Sequence, residues 1–180
     1  MDGFACVSAA SAILDLANGL EQDKSLVTAL FALELARDAG ADAPTQRAAF
    51  FGALLRHLGC TAYAAGEARI ASDDIALRRN LIHGDSRRTT DVVRSVGRAN
   101  GSWLSSVLGV SRLALSARQM RAEWTFEACG AARLLAEGLG FGPDVVQVVD
   151  EAFERWDGAG TPHGRGGTAL STAARAANVA

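Results

Sequence analysis

Apolar side chains recur at three- and four-residue intervals along nearly the whole chain, the period of amphipathic helices. Residues 7–20 set Ala10, Ile13, Leu14, Leu16 and Ala17 on one stripe. Asp23 or Ser25 can cap a second helix through about Asp38, with Leu26, Leu30, Phe31, Leu33 and Leu35 as its apolar set and Gly40 as its stop. Pro44 and Thr45 open a third, running through Ala49, Phe51, Leu54, Leu55 and Leu58 to Gly59. Shorter helices are predicted over 73–82 and 91–100, joined by a polar connection at 83–90. Gly101 separates these from a segment over 103–120, and a further amphipathic helix spans 124–139 and stops at Gly140. Gly142 and Pro143 start the next, over 144–155, with Val145, Val146, Val148 and Val149 turned inward. Its β-branched run would also suit a strand, but no second strand exists for it to pair with. A glycine-rich loop at 157–168 leads to a last helix beginning in ALSTAARAANVA. The pattern predicts an all-α fold, with residues 1–180 forming one compact helical bundle.

Composition narrows the class. Apolar residues make up 49% and charged residues 21%, which excludes a disordered chain. The net charge of −2 supplies no basic field, so direct nucleic-acid contact is not expected of this segment. The start, MDGFACVSAAS, lacks a basic leader and no apolar run reaches ~20 residues, so neither export nor a membrane partner is expected. Cys6, Cys60 and Cys129 have no short metal-ligand spacing and are read as buried thiols in a reducing cytoplasm.

Residues 154–167, ERWDGAGTPHGRGG, carry the most specific pattern. They resemble the signature HHE-x-x-DG-x-GYP-x-G of the HD-GYP proteins, a bacterial branch of the HD-domain metal phosphohydrolases. Glu154, Asp157, Gly158, Gly160, Pro162 and Gly164 match it, whereas Ala152 and Phe153 stand at the paired histidines and Thr161 at the tyrosine. The resemblance extends in order through LDLANGL…DKS (14–25), residues 31–60, CGAARLLAEGLG (129–140) and AARAANVA. It is nearest to degenerate HD domains of some bacterial regulators, which can carry a LuxR-type DNA-binding domain at the C-terminus. It therefore implies an HD-domain bundle cut from a longer polypeptide.

In the family, histidines and an aspartate hold divalent ions that make hydroxide at neutral pH. The matched positions here are Lys24, Arg56, His57, Ala128, Ala152 and Phe153. Lysine and arginine are fixed cations that repel a dication, and alanine and phenylalanine offer no donor atom. The resemblance with these replacements implies no catalytic residue, no metal and no cofactor. Lys24 and Arg56 would stand where metal charge once did, pairing with Glu154 or Asp157. A remnant cleft at Lys24, Arg56, His57, Glu154, Asp157 and His163 would take a small anionic ligand. The leading expectation is an inactive sensory or interaction domain of a transcriptional regulator. One alternative is a metal-dependent phosphodiesterase using His57, Glu154 and Asp157. Another is a homodimerisation module exposing Phe50, Phe51 and Leu54. In the signature loop, Asp157 is expected to cap local amides, Trp156 to bury its ring, and Glu154 and Arg155 to form ion pairs.

Overall fold

The computed structural model describes residues 3–84 and 88–180, leaving out the side chains at 118, 121, 122 and 125. Among these residues every regular element is helical: α1 (Gly3–Ala17), α2 (Lys24–Asp38), α3 (Ala43–Leu54), α4 (Ala64–Glu67), α5 (Asp74–His83), α6 (Thr89–Arg98), α7 (Trp103–Gly138), α8 (Pro143–Asp150) and α9 (Thr172–Val179). Short 3₁₀ turns precede α4 at Cys60–Tyr63 and α9 at Gly167–Ala169. The all-α fold is as predicted, and the valine run of α8 is helical. None of these helices is long and apolar enough to cross a membrane.

Local chemistry sets the boundaries. Asp42, Asp73 and Ser171 cap α3, α5 and α9 by accepting from Thr45 N, Ala76 N and Ala174 N. Ser102 and Ser105 form a reciprocal capping box at the start of α7. Gly40 and Gly140 adopt positive φ just past α2 and α7, as the stops predicted there require.

Several expectations are corrected. Asp23 is the N-cap of α2, but its side chain makes no capping bond. α3 ends at Leu54 instead of Gly59, and the chain then turns beneath α7. A Cβ on Gly59 would lie 1.8 Å from the Ala128 carbonyl oxygen, so only glycine permits that passage. The two helices expected over 103–120 and 124–139 are one helix of 36 residues. The link between them, including Arg121, Ala122 and Glu123, is made of strong helix formers. The connection expected at 83–90 lies partly outside the described residues.

The main core gathers α2, α3, α8, α9 and the end of α7 around Leu54, Leu55, Val145, Val148 and a set of alanines. A second, smaller cluster joins Tyr63, Ile70, Leu77, Val96 and Met120, between α5, α6 and the first part of α7. α7 spans both. Arg78 of α5 ties the clusters' elements: its Nε meets Glu67 Oε2 at 2.5 Å, another nitrogen meets Asp74, and NH1 donates to the Ala17 carbonyl at 2.7 Å.

The apolar stripes predicted for α1 and α2 hold only in part: Leu14 and Leu26 are half-buried against the main core. Ala29, Ala32 and Ala36 point inward, while Leu30, Phe31 and Leu35 are exposed, as are Ile13 and Leu16 of α1. Leu54, expected on an exposed dimer face, is core. Phe50 and Phe51 are half-buried in an aromatic cluster with Phe4 and Phe141. Cys6 is exposed, against expectation, whereas Cys60 and Cys129 are buried.

Glu151, fully buried after α8, organises the C-terminal third. Its carboxylate accepts from Ser171 N (3.0 Å), Ser171 Oγ (2.8 Å), Gln147 Nε2 (3.0 Å) and Arg165 NH1 (3.2 Å). Burial pushes its pKa up, but these donors outweigh it and the net shift is downward. Stability from Glu151 is therefore present above the ordinary carboxylate range and lost as pH falls through its lowered pKa. Glu151→Gln should cost about 2–3 kcal/mol at neutral pH, read by urea denaturation. The gap to the parent should narrow as pH falls below the ordinary carboxylate range and close as the parent itself protonates. A gap that stays constant to pH 3 would remove Glu151's charge from the account.

Candidate functional site

Lys24, Arg56 and His57 come together where α2 begins and α3 ends. The start of α2 is fixed from below by the fully buried Asp15, which accepts from Ser25 N at 2.9 Å and Ser25 Oγ at 2.5 Å. Lys24 follows at the first helical position and is exposed. Arg56 and His57 follow directly after the C-cap of α3, Leu55. The Arg56 NH1 donates to the Ala177 carbonyl of α9 at 3.3 Å, and its guanidinium carbon lies 5.8 Å from the Phe153 ring centroid. Among the described residues no carboxylate pairs with Lys24 or Arg56. Burial holds the Arg56 guanidinium below the usual arginine value.

His57 sits beside these cations. Burial, then the charges of Arg56 and Lys24, lower its pKa to about 4. Its Nδ1 is 3.6 Å from the Cys60 Sγ. Burial pushes the Cys60 thiol up to about 12. At neutral pH the pair is thus a neutral imidazole and a neutral thiol, not the thiolate–imidazolium pair of a cysteine nucleophile.

The remaining predicted residues lie apart. Glu154 is buried; its Oε1 accepts from His163 N at 2.6 Å and its Oε2 has no hydrogen-bond partner. Asp157 takes both nitrogens of Arg155 at 3.0 and 2.9 Å, and its Oδ1 also accepts from Ala159 N. His163 Nε2 meets Asp150 Oδ2 at 2.9 Å. The expected pairing of Lys24 or Arg56 with Glu154 or Asp157 is not formed among the described residues: Asp157 is taken by Arg155, and Glu154 binds the His163 amide through one oxygen. The loop itself closes as anticipated, with Gly158 at φ 73 and Gly160 packed so close that a Cβ would lie 2.5 Å from Arg155 N. Trp156 is not buried: it is 65% exposed.

The partner of Arg56 escaped the sequence reading. The sequence marks Phe153 only as a lost histidine, yet its ring receives the arginine. An arginine and a phenylalanine standing together at two matched ligand positions were the available signal. The donor set does not fit the family's metal ions. Two of the matched positions are cations, and among the described residues no three His, Cys, Asp or Glu side chains converge. Two surface cavities, of about 270 and 570 Å³, lie elsewhere, along α7 at Arg112 and Leu115 and between Arg133, Asp150 and Arg165. No family model, curated protein or solved structure matches this chain.

The low His57 pKa has a measurable consequence. The folded protein holds this ring neutral where the unfolded chain protonates it, so stability falls as pH drops from 6.5 towards 4. The loss should approach about 3 kcal/mol, and His57→Gln should flatten that part of the profile. Ring resonances followed by NMR should titrate near 4 in the parent and at higher pH in Arg56→Gln. A midpoint near 6.5 in the parent would contradict the arrangement.

Proposed function

We propose that this chain is a degenerate HD-like domain that binds a small anionic ligand, such as a phosphate ester, without hydrolysing it. The observation that carries this reading is the uncompensated charge: the charges of Arg56 and Lys24 both act on the His57 imidazole, and neither has a carboxylate partner among the described residues. An arginine held only by a ring and a carbonyl keeps further donors for an oxyanion. His57 adds a third donor, since a bound anion raises its pKa and favours imidazolium. The retained signature-loop residues act structurally, through the Glu154–His163, Asp157–Arg155 and Asp157–Ala159 bonds. On this reading the domain is the N-terminal, cytoplasmic sensor of a bacterial transcriptional regulator. It biases a DNA-binding domain outside the segment through differential ligand affinity for two helix packings.

The test is titration of the chain with inorganic phosphate, pyrophosphate and a panel of mono- and cyclic dinucleotides. Binding should raise the His57 ring pKa and stabilise the fold by about 2.7 kcal/mol at a hundredfold excess over Kd. Arg56→Met, which keeps bulk against Phe153, should abolish both effects. No shift with any anion, or stoichiometric iron or manganese in protein purified without chelator, would overturn the reading.

A further inference from the structure

Basic charge is spread unevenly along this chain. From Val92 to Ala122 the sequence holds five arginines and no acid, although the whole chain is net −2. These residues make the end of α6 and the first part of α7. There α7 also exposes Trp103, Leu104, Val107, Leu108 and Leu115, on one side of the helix and each more than half accessible. A contiguous apolar patch rimmed by charge marks a place where another molecule binds. Beside the patch a cavity of about 270 Å³ is lined by Arg69, Ile70, Arg112, Leu115, Ser116 and Met120. A closed apolar cavity of ~150 Å³ holds a benzene ring, so this recess has room for a leucine or phenylalanine side chain. Of its two arginines, Arg69 is matched by Glu123 at 2.7 Å. Arg112 meets no carboxylate among the described residues; its NH1 donates to the Arg69 carbonyl at 2.9 Å. Arg98, exposed at the end of α6, meets none either.

We infer that this face docks an acidic amphipathic helix of a partner protein, which seats one leucine or phenylalanine in the recess and sets carboxylates against Arg112. Charge and shape together choose the occupant. A second copy docked face to face would set this acid-free surface against itself, and like charges across an interface repel. Nucleic acid would answer the arginines but leave the apolar row without a partner. An anionic bilayer would answer both, but it offers no anchor of fixed position for a recess beside an arginine. An acidic amphipathic helix supplies all three features: apolar residues at matching three- and four-residue steps, one of them as the anchor, and carboxylates along the flank. The inference stands independently of the anion site, which lies at the end of α3.

The test uses the full chain and two fluorescein-labelled peptides of about five helical turns. Both carry leucine and phenylalanine at i, i+3, i+4 and i+7; one has glutamate and the other lysine at the polar positions. Fluorescence anisotropy should give a Kd of ~100 µM or tighter for the glutamate peptide and binding at least about tenfold weaker for the lysine peptide. The glutamate complex should weaken as salt rises from about 0.05 to 0.5 M. Leu115→Glu and Arg112→Gln should each weaken it about tenfold and leave the helical circular dichroism unchanged, since both side chains lie at the surface. Phe31→Glu, on the exposed face of α2, and Arg56→Met, in the anion site, should leave binding as it is. No binding of the glutamate peptide at ~1 mM, equal binding of the two peptides, or loss in Phe31→Glu but not in Leu115→Glu would overturn the inference. So would a dimer in sedimentation equilibrium that Leu115→Glu dissociates, or tighter binding of phosphatidylglycerol vesicles or duplex DNA than of the glutamate peptide.

Discussion

Alanine packing sets the terms for the rest of this molecule. Twelve of the eighteen buried residues in the main cluster are alanine, contributed by α2, α3, α7 and α9. Helices that meet through methyl groups approach closely, and the glycines record how closely: a Cβ on Gly52 would lie 2.1 Å from Val148 Cγ1. Where α2 meets this interior through Ala29, Ala32 and Ala36, a leucine or phenylalanine in their place would overpack it, at a cost of ~1–3 kcal/mol each. Ile13 and Leu16 of α1 and Leu30, Phe31 and Leu35 of α2 face outward, and cohesion comes from many short-range contacts between small groups.

This constraint explains which parts of the fold were legible. Helical period, the opening of α3 at Pro44, and stops at Gly40 and Gly140 are local properties, and they are readable in the sequence. The inward face of α2 was not, because hydrophobicity favours Leu30 and Phe31 over Ala29 and Ala32, whereas helix spacing favours the reverse. The end of α3 at Leu54 depends on the passage of Gly59 under Ala128, a contact across some seventy positions that no local window contains.

At the candidate site, residue types were legible and partners were not. Lys24, Arg56 and His57 could be placed together from the order of matched positions, and the structure brings them together. Which acid each cation would meet depended on loop geometry. Asp157 lies two residues from Arg155 and is taken by it at 2.9 Å, a pairing with almost no ordering cost. Glu154 turns instead to the His163 amide. Arg56 meets neither acid and lies over the Phe153 ring, which accepts a cation without neutralising it. The positive charge of the site is therefore a consequence of how the loop satisfies itself.

That ring also joins the site to the long helix. Phe153 meets Trp124 of α7 at 5.0 Å, edge to face, while Arg56 approaches it at 5.8 Å. Trp124 in turn packs against the second core cluster, which holds Met120 and Ile70. Contact alone does not transmit a signal; coupling requires an element with two arrangements that both sites bias differently. Arg56 is suited to that part, since its interaction with Phe153 is weak beside a charge-assisted bond to an oxyanion. An anion that drew the guanidinium off the ring would remove one wall of the Trp124 contact and leave the alanine core untouched. The Arg56–Phe153–Trp124 contacts thus run from the end of α3 to α7 alongside the alanine core.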